Sequence, residues 1–188
     1  MSNRPTKIYT KTGDQGETGL SGGKRVRKDC PEIQAIGDVD ELNTVIGMVI
    51  AHDMPKNLNK GLVQIQHHLF NLGAELNSSK LKFINASMVK DLEQQLDAYN
   101  QSLPPLKNFI LPGGGQAAST CHLARAVCRR AERSVVAISQ FEDINPDIQI
   151  YLNRLSDFLF VACRVLAKHA GQEETLWSSE TLAKGVYY

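Results

Sequence analysis

Two groups of residues in this 188-residue chain have the types and spacing for chemistry. The first is His122, Arg125, Arg129 and Glu132, three and four positions apart, so that on a helix their side chains share a face. Two arginines on one face suit a polyphosphate or a carboxylate, because each guanidinium presents a rigid fork of donors. Structural salt bridges use the same residues, and for an arbitrary arginine pair they are the commoner explanation. The second group lies in residues 7–28, which hold five glycines, six basic side chains (Lys7, Lys11, Lys24, Arg25, Arg27, Lys28) and the hydroxyls of Thr10, Thr12, Thr18 and Ser21. Glycines let backbone N–H groups approach an anion, and Lys and Thr add charge and donors, which is the chemistry of a phosphate cradle. It is not a Walker loop, since Gly23-Lys24 is followed by arginine. On composition alone a disordered polar arm accounts for this segment equally well; the conjunction with the arginine face favours a nucleotide.

Other chemistries are poorly supported. No glutamate has a histidine three positions later, so the carboxylate-bridged di-iron pattern of helical bundles is missing. No serine or cysteine nucleophile sits in a recognisable turn. The cysteines (Cys30, Cys121, Cys128, Cys163) form no Cys-x-x-Cys pair; they read as reduced, buried thiols of a cytoplasmic protein, with no zinc. His67 and His68 are adjacent and point in different directions on a helix, so both read as ordinary histidines. A net charge of +1 argues against nucleic acid or a membrane surface as partner, and no secretory signal or membrane span is visible.

The elements that must position these residues are helices. Their apolar seams keep four–three spacing over about 32–52, 57–77, 86–102, from the glycine turn at 112–115 to about 140, and from Pro146 to about 169. The seams are Ala35, Val39, Leu42, Ile46 and Val49; then Leu58, Leu62, Ile65, Leu69, Leu72 and Leu76; then Met88, Leu92, Leu96 and Tyr99; and finally Ile148, Leu152, Leu155, Leu159, Ala162 and Leu166. The fourth helix, which carries the arginines, has a seam of small residues: Ala117, Cys121, Ala124, Cys128, Ala131, Val135 and Ile138. A Pro112-Gly113-Gly114-Gly115 turn introduces it, and before that turn Phe109 reads most simply as core filler. Asp38 and Glu41 read as a solvated face, Arg154 and Asp157 as a possible i,i+3 pair. The expected fold is one all-α domain spanning 1–188, a five-helix bundle over 32–170 with an irregular glycine-rich loop over 1–31. The tail, 171–188, is expected to pack or to close over a site.

Five motifs carry a resemblance. They are Ile8-Tyr9-Thr10-Lys11-Thr12-Gly13-Asp14-Gln15-Gly16-Glu17-Thr18, Val39-Asp40-Glu41-Leu42-Asn43, Phe109-Ile110-Leu111-Pro112-Gly113-Gly114, the helix from Arg125 to Arg133, and Asn153-Arg154-Leu155-Ser156-Asp157-Phe158. In order and spacing they resemble the ATP:cob(I)alamin adenosyltransferases of the propanediol-utilisation type over nearly the whole chain; 78–107 and the tail match loosely. Asp38 stands where glutamate is commoner, and Gly115 adds a third glycine to the turn.

The resemblance implies a homotrimer with ATP and cobalamin bound between subunits, and transfer of the 5′-deoxyadenosyl group to cob(I)alamin with release of triphosphate. It places Thr10, Lys11, Gly13, Asp14, Gly16 and Thr18 in the ATP loop, and Lys24 and Lys28 at basic positions approaching the nucleotide. Arg129, Glu132 and Asn153 match residues around ATP, the last two near Mg²⁺. Asp40 and Arg125 match a salt-bridged pair across the subunit boundary, against the solvated-face default for Asp40. Phe109 matches a phenylalanine under the corrin, where it would exclude a lower axial ligand and ease reduction of Co(II). Arg129, Phe109 and Lys11 are thus the residues expected to carry catalysis. No flavin site is visible, so an external electron donor such as a flavoprotein is implied, and an adenosylcobalamin-dependent enzyme as recipient of product. His122 gains no role beyond lining the boundary.

Overall fold

The computed structural model describes residues 8–178; the Lys7 position and the last residues of the expected tail lie outside them. Five helices form: α1 Pro31–Ile50, α2 Lys56–Asn77, α3 Ala86–Asn100, α4 Gln116–Ile138 and α5 Pro146–His169. They agree with the sequence reading to within two residues at each boundary. Local chemistry sets the starts. Pro31 and Pro146 open α1 and α5, where a missing N–H is harmless. The Asn85 side chain caps α3 by accepting from the Ser87 and Met88 amides at 3.1 and 3.4 Å. α5 runs out at Gly171, whose φ of +65° only glycine adopts cheaply.

Packing is sequential across the bundle. α2 lies on α1, α1 on α4, α4 on α5, and α5 on α3. α4 is therefore the central helix, and its small-residue seam is what admits a helix on each side. Cys121, Ala124, Cys128, Ala131 and Val135 are fully buried. The thiols of Cys128 and Cys163 are pushed upward by burial and are inert. Tyr151 and Phe158 of α5 are the largest buried side chains.

Several expectations are corrected. At the start of α4 both Ala117 and Ala118 pack on the core, Ala118 the more deeply at 1% exposure, where the glycine turn brings that end of the helix onto α5. Cys30 is only partly buried, at the N-cap of α1. The amino-terminal loop contains a short antiparallel hairpin, β1 Glu17–Gly19 with β2 Arg25–Arg27, joined by a tight helical turn at Ser21–Gly23. Asp38 is not a solvated acid. It is 4% exposed, accepts from Ser134 of α4 and from Gln34 at 2.8 Å, and lies 3.6 Å from the Arg130 guanidinium. Glu41 pairs with the same arginine. Arg154 and Asp157 do pair, at 3.1 Å, and Glu93 of α3 joins them at 2.8 Å.

Candidate active site

The amino-terminal loop is shaped by its glycines and by Lys28. Lys11 has φ +62°, a left-handed conformation uncommon for a residue with a Cβ and often associated with ligand-contacting segments. Two turns follow it, the Asp14 amide reaching the Lys11 carbonyl at 3.4 Å and the Gly16 amide the Gly13 carbonyl at 3.2 Å. The Lys28 amide donates to the Gly16 carbonyl at 2.9 Å, and its ammonium crosses Gly13 so closely that a Cβ there would lie 3.0 Å from Nζ. Arg25 Nη2 donates to the Thr12 carbonyl at 2.8 Å, and the Thr10 and Thr12 hydroxyls meet at 2.9 Å. Thr10, Lys11, Gly13, Asp14 and Gly16 thus form one compact loop held against β2.

Beside the loop is an open pocket of about 580 Å³ between the hairpin, α1 and α2. Thr18, Lys28 and Asp40 line it, with Asn43, Phe70 and Gly73. Lys24 turns away and lines a different pocket of about 220 Å³ with Glu32 and Glu75. There Glu75 is buried and ties the 78–85 connection down, accepting from the Phe83 and Ile84 amides and from Asn145.

A second surface collects the other candidates. Phe109, Arg125, Arg129, Ser156, Asp157 and Phe160 line a pocket of about 530 Å³ over α4 and α5. Phe109 is 78% exposed, so the core-filler reading fails and an apolar ring is offered to whatever enters. Arg129 is exposed and makes no hydrogen bond or ion pair to any described residue, leaving its donors for an anion. Arg125 is half-buried, and its Nε is buried without a partner. His122, one turn back, packs its ring against Phe160 at 6.4 Å. Burial, with Arg125 adding to it, holds that imidazole below its ordinary pKa.

Glu132 and Asn153 join α4 to α5. Asn153 Nδ2 donates to Glu132 Oε1 at 2.9 Å. This leaves Glu132 Oε2 and Asn153 Oδ1 as two hard oxygens with no described partner. Among the described residues no cluster of three or more His, Cys, Asp or Glu could hold a metal. A carboxylate with an amide oxygen is nonetheless what a magnesium ion carried by a nucleotide takes from a protein, so these two residues fit such an ion. The long-range partners Asp38–Ser134 and Arg164–Glu174 were not foreseen. Their sequence separation leaves no periodic signal.

The chain is a helical bundle with two candidate surfaces, one a glycine-rich basic loop over a pocket and the other an unpaired arginine beside an exposed phenylalanine. The family model described as cobalamin adenosyltransferase matches residues 8–166, and the chain belongs to that family. It is 48% identical to a cobalamin adenosyltransferase of Cupriavidus metallidurans, over 96% of this chain and 98% of that one. It is 45% identical to a corrinoid adenosyltransferase of Bacillus subtilis, over 88% and 89% of the two chains. A solved structure similar to it is a phenylalanine-to-alanine variant of the PduO-type ATP:corrinoid adenosyltransferase of Lactobacillus reuteri, complexed with cobalamin and ATP. It is 38% identical with a TM-score of 0.88, covering 92% of this chain and 100% of that one. An arginine-to-lysine variant of the same enzyme, complexed with ATP, superposes with a TM-score of 0.86 at 39% identity over 91% and 100% of the two chains. Among the described residues no helix is long and apolar enough to cross a membrane.

Proposed function

We propose that this protein transfers the 5′-deoxyadenosyl group of ATP to cob(I)alamin. The observation that carries the reading is the free Arg129 guanidinium beside the exposed Phe109 on one pocket. The substituted phenylalanine and arginine of the Lactobacillus reuteri variants are as far apart in sequence as Phe109 and Arg129 are here. That relative's ligands, ATP and cobalamin, are the substrates assigned to this chain.

Cob(I)alamin is a strong nucleophile and needs no base. Its cobalt electron pair forms the bond to C5′ of ATP, the C5′–O bond breaks, and triphosphate leaves with the electron pair. The protein's work is alignment and stabilisation of the charge gathering on the leaving group. Arg129 and Lys11 supply positive charge. Thr10, Gly13, Asp14, Gly16 and Thr18 shape the loop that receives the nucleotide, with Lys28 laid across it and Lys24 further off. Glu132 and Asn153 would hold Mg²⁺, which when bound neutralises polyphosphate charge. Phe109 lies under the corrin, excludes the lower axial ligand and so favours reduction of Co(II). The electron comes from an external donor, a flavoprotein in kind, and the product passes to an adenosylcobalamin-dependent enzyme.

The two surfaces share no lining residue, which supports a site shared between copies. We infer a homotrimer in which the loop surface of one subunit meets the Arg129 surface of the next, with Asp40 paired to Arg125 across the boundary. Purified protein given ATP, Mg²⁺ and chemically reduced cobalamin is expected to produce adenosylcobalamin, followed by its absorption spectrum. Binding of both substrates without product would overturn the catalytic reading in favour of a carrier. Sedimentation of Arg125→Ala is expected to show weakened assembly, and an unchanged oligomer would remove the pair.

A further inference from the structure

The segment bearing Phe109 has no helix or sheet of its own to fix it. What fixes it is the tail. The Trp177 amide donates to the Phe109 carbonyl at 2.7 Å, the Leu111 amide donates to the Thr175 carbonyl at 2.8 Å, and Ile110 pairs with Leu176 in an antiparallel bridge. Asn108 completes the ladder, Nδ2 donating to the Trp177 carbonyl at 2.8 Å while its Oδ1 accepts from the Phe109 amide at 2.8 Å. Phe109 is thus held at its carbonyl by the Trp177 amide and at its N–H by the Asn108 side chain, although its ring is exposed.

This two-stranded strap is anchored on α5, chiefly through one buried side chain. Arg164 of α5 is 3% exposed, and its guanidinium makes a two-pronged contact with Glu174, Nε to Oε1 at 2.6 Å and Nη2 to Oε2 at 3.2 Å. The same Nη2 donates to the Pro104 carbonyl at 2.7 Å. One buried side chain therefore grips both the tail, just before its paired strand, and the connection that leads to Phe109. Lys168, one turn further along α5, holds that connection again at the Ser102 carbonyl, 2.7 Å away.

We propose that Arg164 is a positioning residue for the corrinoid side of the site, acting through Glu174 and the tail strand to set where the Phe109 ring stands. The inference rests on the adenosyltransfer reading above. A buried ion pair is a poor source of net stability, since desolvation offsets the attraction and an apolar residue of like volume does as well. Its distinctive product is geometry: planar, forked contacts fix both strands against a rigid helix. Glu174 keeps partial access to solvent, with 22% of its side chain exposed, so losing the guanidinium releases the strap rather than stranding a carboxylate in the core. A released strap leaves the ring mobile. That weakens exclusion of the axial ligand, on which Co(II) reduction depends, while attack by Co(I) already formed does not need it.

The test compares two assays on each protein: turnover from pre-formed Co(I), and turnover from Co(II) with a reductant of fixed potential. Arg164→Met and Trp177→Pro are each expected to lower the Co(II) rate roughly tenfold, the effect of losing about one hydrogen bond's worth of ordering. The Co(I) rate should hold within about twofold on the same scale. Trp177→Pro removes the single N–H that reaches Phe109 from an exposed tail residue, so it carries the test even where Arg164→Met folds poorly. Trp177→Ala keeps that N–H and should match the unsubstituted protein in both assays. The electron paramagnetic resonance signal of four-coordinate Co(II) should fall in the first two variants and not in the third. Equal losses in both assays, or none in either, overturn the positioning role. Absence of turnover by the unsubstituted protein from pre-formed Co(I) overturns the adenosyltransfer reading itself, and the strap's role with it.

Discussion

Asp38 offers a sharp test of how α1 is set against the central helix. Its carboxylate is buried at 4% exposure, takes hydrogen bonds from the Ser134 hydroxyl and the Gln34 amide, and sits 3.6 Å from the Arg130 guanidinium. Asp38→Ala removes two bonds to a charged acceptor, each of which contributes about 1.5 kcal/mol at the low end. Gln34 is exposed and can turn to water, which recovers part of one. The Arg130 contact adds little, because that side chain is 42% exposed and screened. The sum is a loss of about 2–3 kcal/mol, or roughly 4–12 °C in Tm for a chain of this size. Asp38→Asn keeps an acceptor for Ser134 and should lose only about 1 kcal/mol. Glu41→Ala, at an exposed carboxylate on the same arginine, should stay within about 0.5 kcal/mol. Urea denaturation followed by circular dichroism ranks the three. If Asp38→Ala falls within the Glu41→Ala range, the network is decoration on a solvated face and the reasoning fails.

Other outcomes follow from single contacts. Arg129→Ala should lower kcat through about 2–4 kcal/mol of lost leaving-group stabilisation and leave Tm unchanged, because the side chain makes no hydrogen bond within the described structure; an unchanged rate would remove its role. Gly114→Ala should destabilise by about 1–3 kcal/mol, since its φ is +89° and the new Cβ would lie 2.7 Å from the Ala167 Cβ; calorimetry showing no change would mean that the turn has room to move. Stability should fall as pH drops below about 6.5, because burial lowers the pKa of both His68 and His122 and the unfolded chain then takes up protons the folded one resists. Above that pH these two groups contribute no slope. His68→Gln should flatten the profile of Tm below about pH 6.5, and a profile identical to that of the unsubstituted protein would refute the assignment.

The helices were legible because each buries one stripe against a neighbour. The five residues of the α1 seam and the six of the α5 seam are all buried, and the alanines and cysteines of α4 already read as a seam of small residues. What escaped was whatever depends on residues distant in sequence. Asp38 looked solvated since nothing near it in sequence reveals Ser134, which lies a helix and two connections beyond the end of α2. The hairpin escaped because its three-residue strands are too short and too rich in glycine and arginine to show alternation. Phe109 read as core filler from its apolar neighbours, yet its ring stands outside, on a segment held by backbone bonds to Thr175 and Trp177 of the tail, partners more than sixty residues away that no local pattern reveals. Residue types at the site were legible from spacing; their division between two surfaces was expected only through the family resemblance, since no spacing reveals it.

That division bears on the three buried polar side-chain atoms that find no partner among the described residues: Asn43 Oδ1, His122 Nδ1 and Arg125 Nε. Each unpaired buried polar atom costs about 1–3 kcal/mol, which folded proteins rarely leave standing. Asn43 lines the loop pocket with Asp40, three residues before it on the same face of α1. His122 and Arg125 are likewise three apart on one face of α4, beside the Phe109 pocket. The unpaired groups therefore lie at the two candidate surfaces rather than at random. They are also complementary in kind, an acceptor on α1 against a donor on Arg125. This supports reading both surfaces as halves of one boundary between copies. In the proposed homotrimer these two faces meet, and pairing of these atoms would need side-chain movement, since none of the three is exposed to solvent in the single chain.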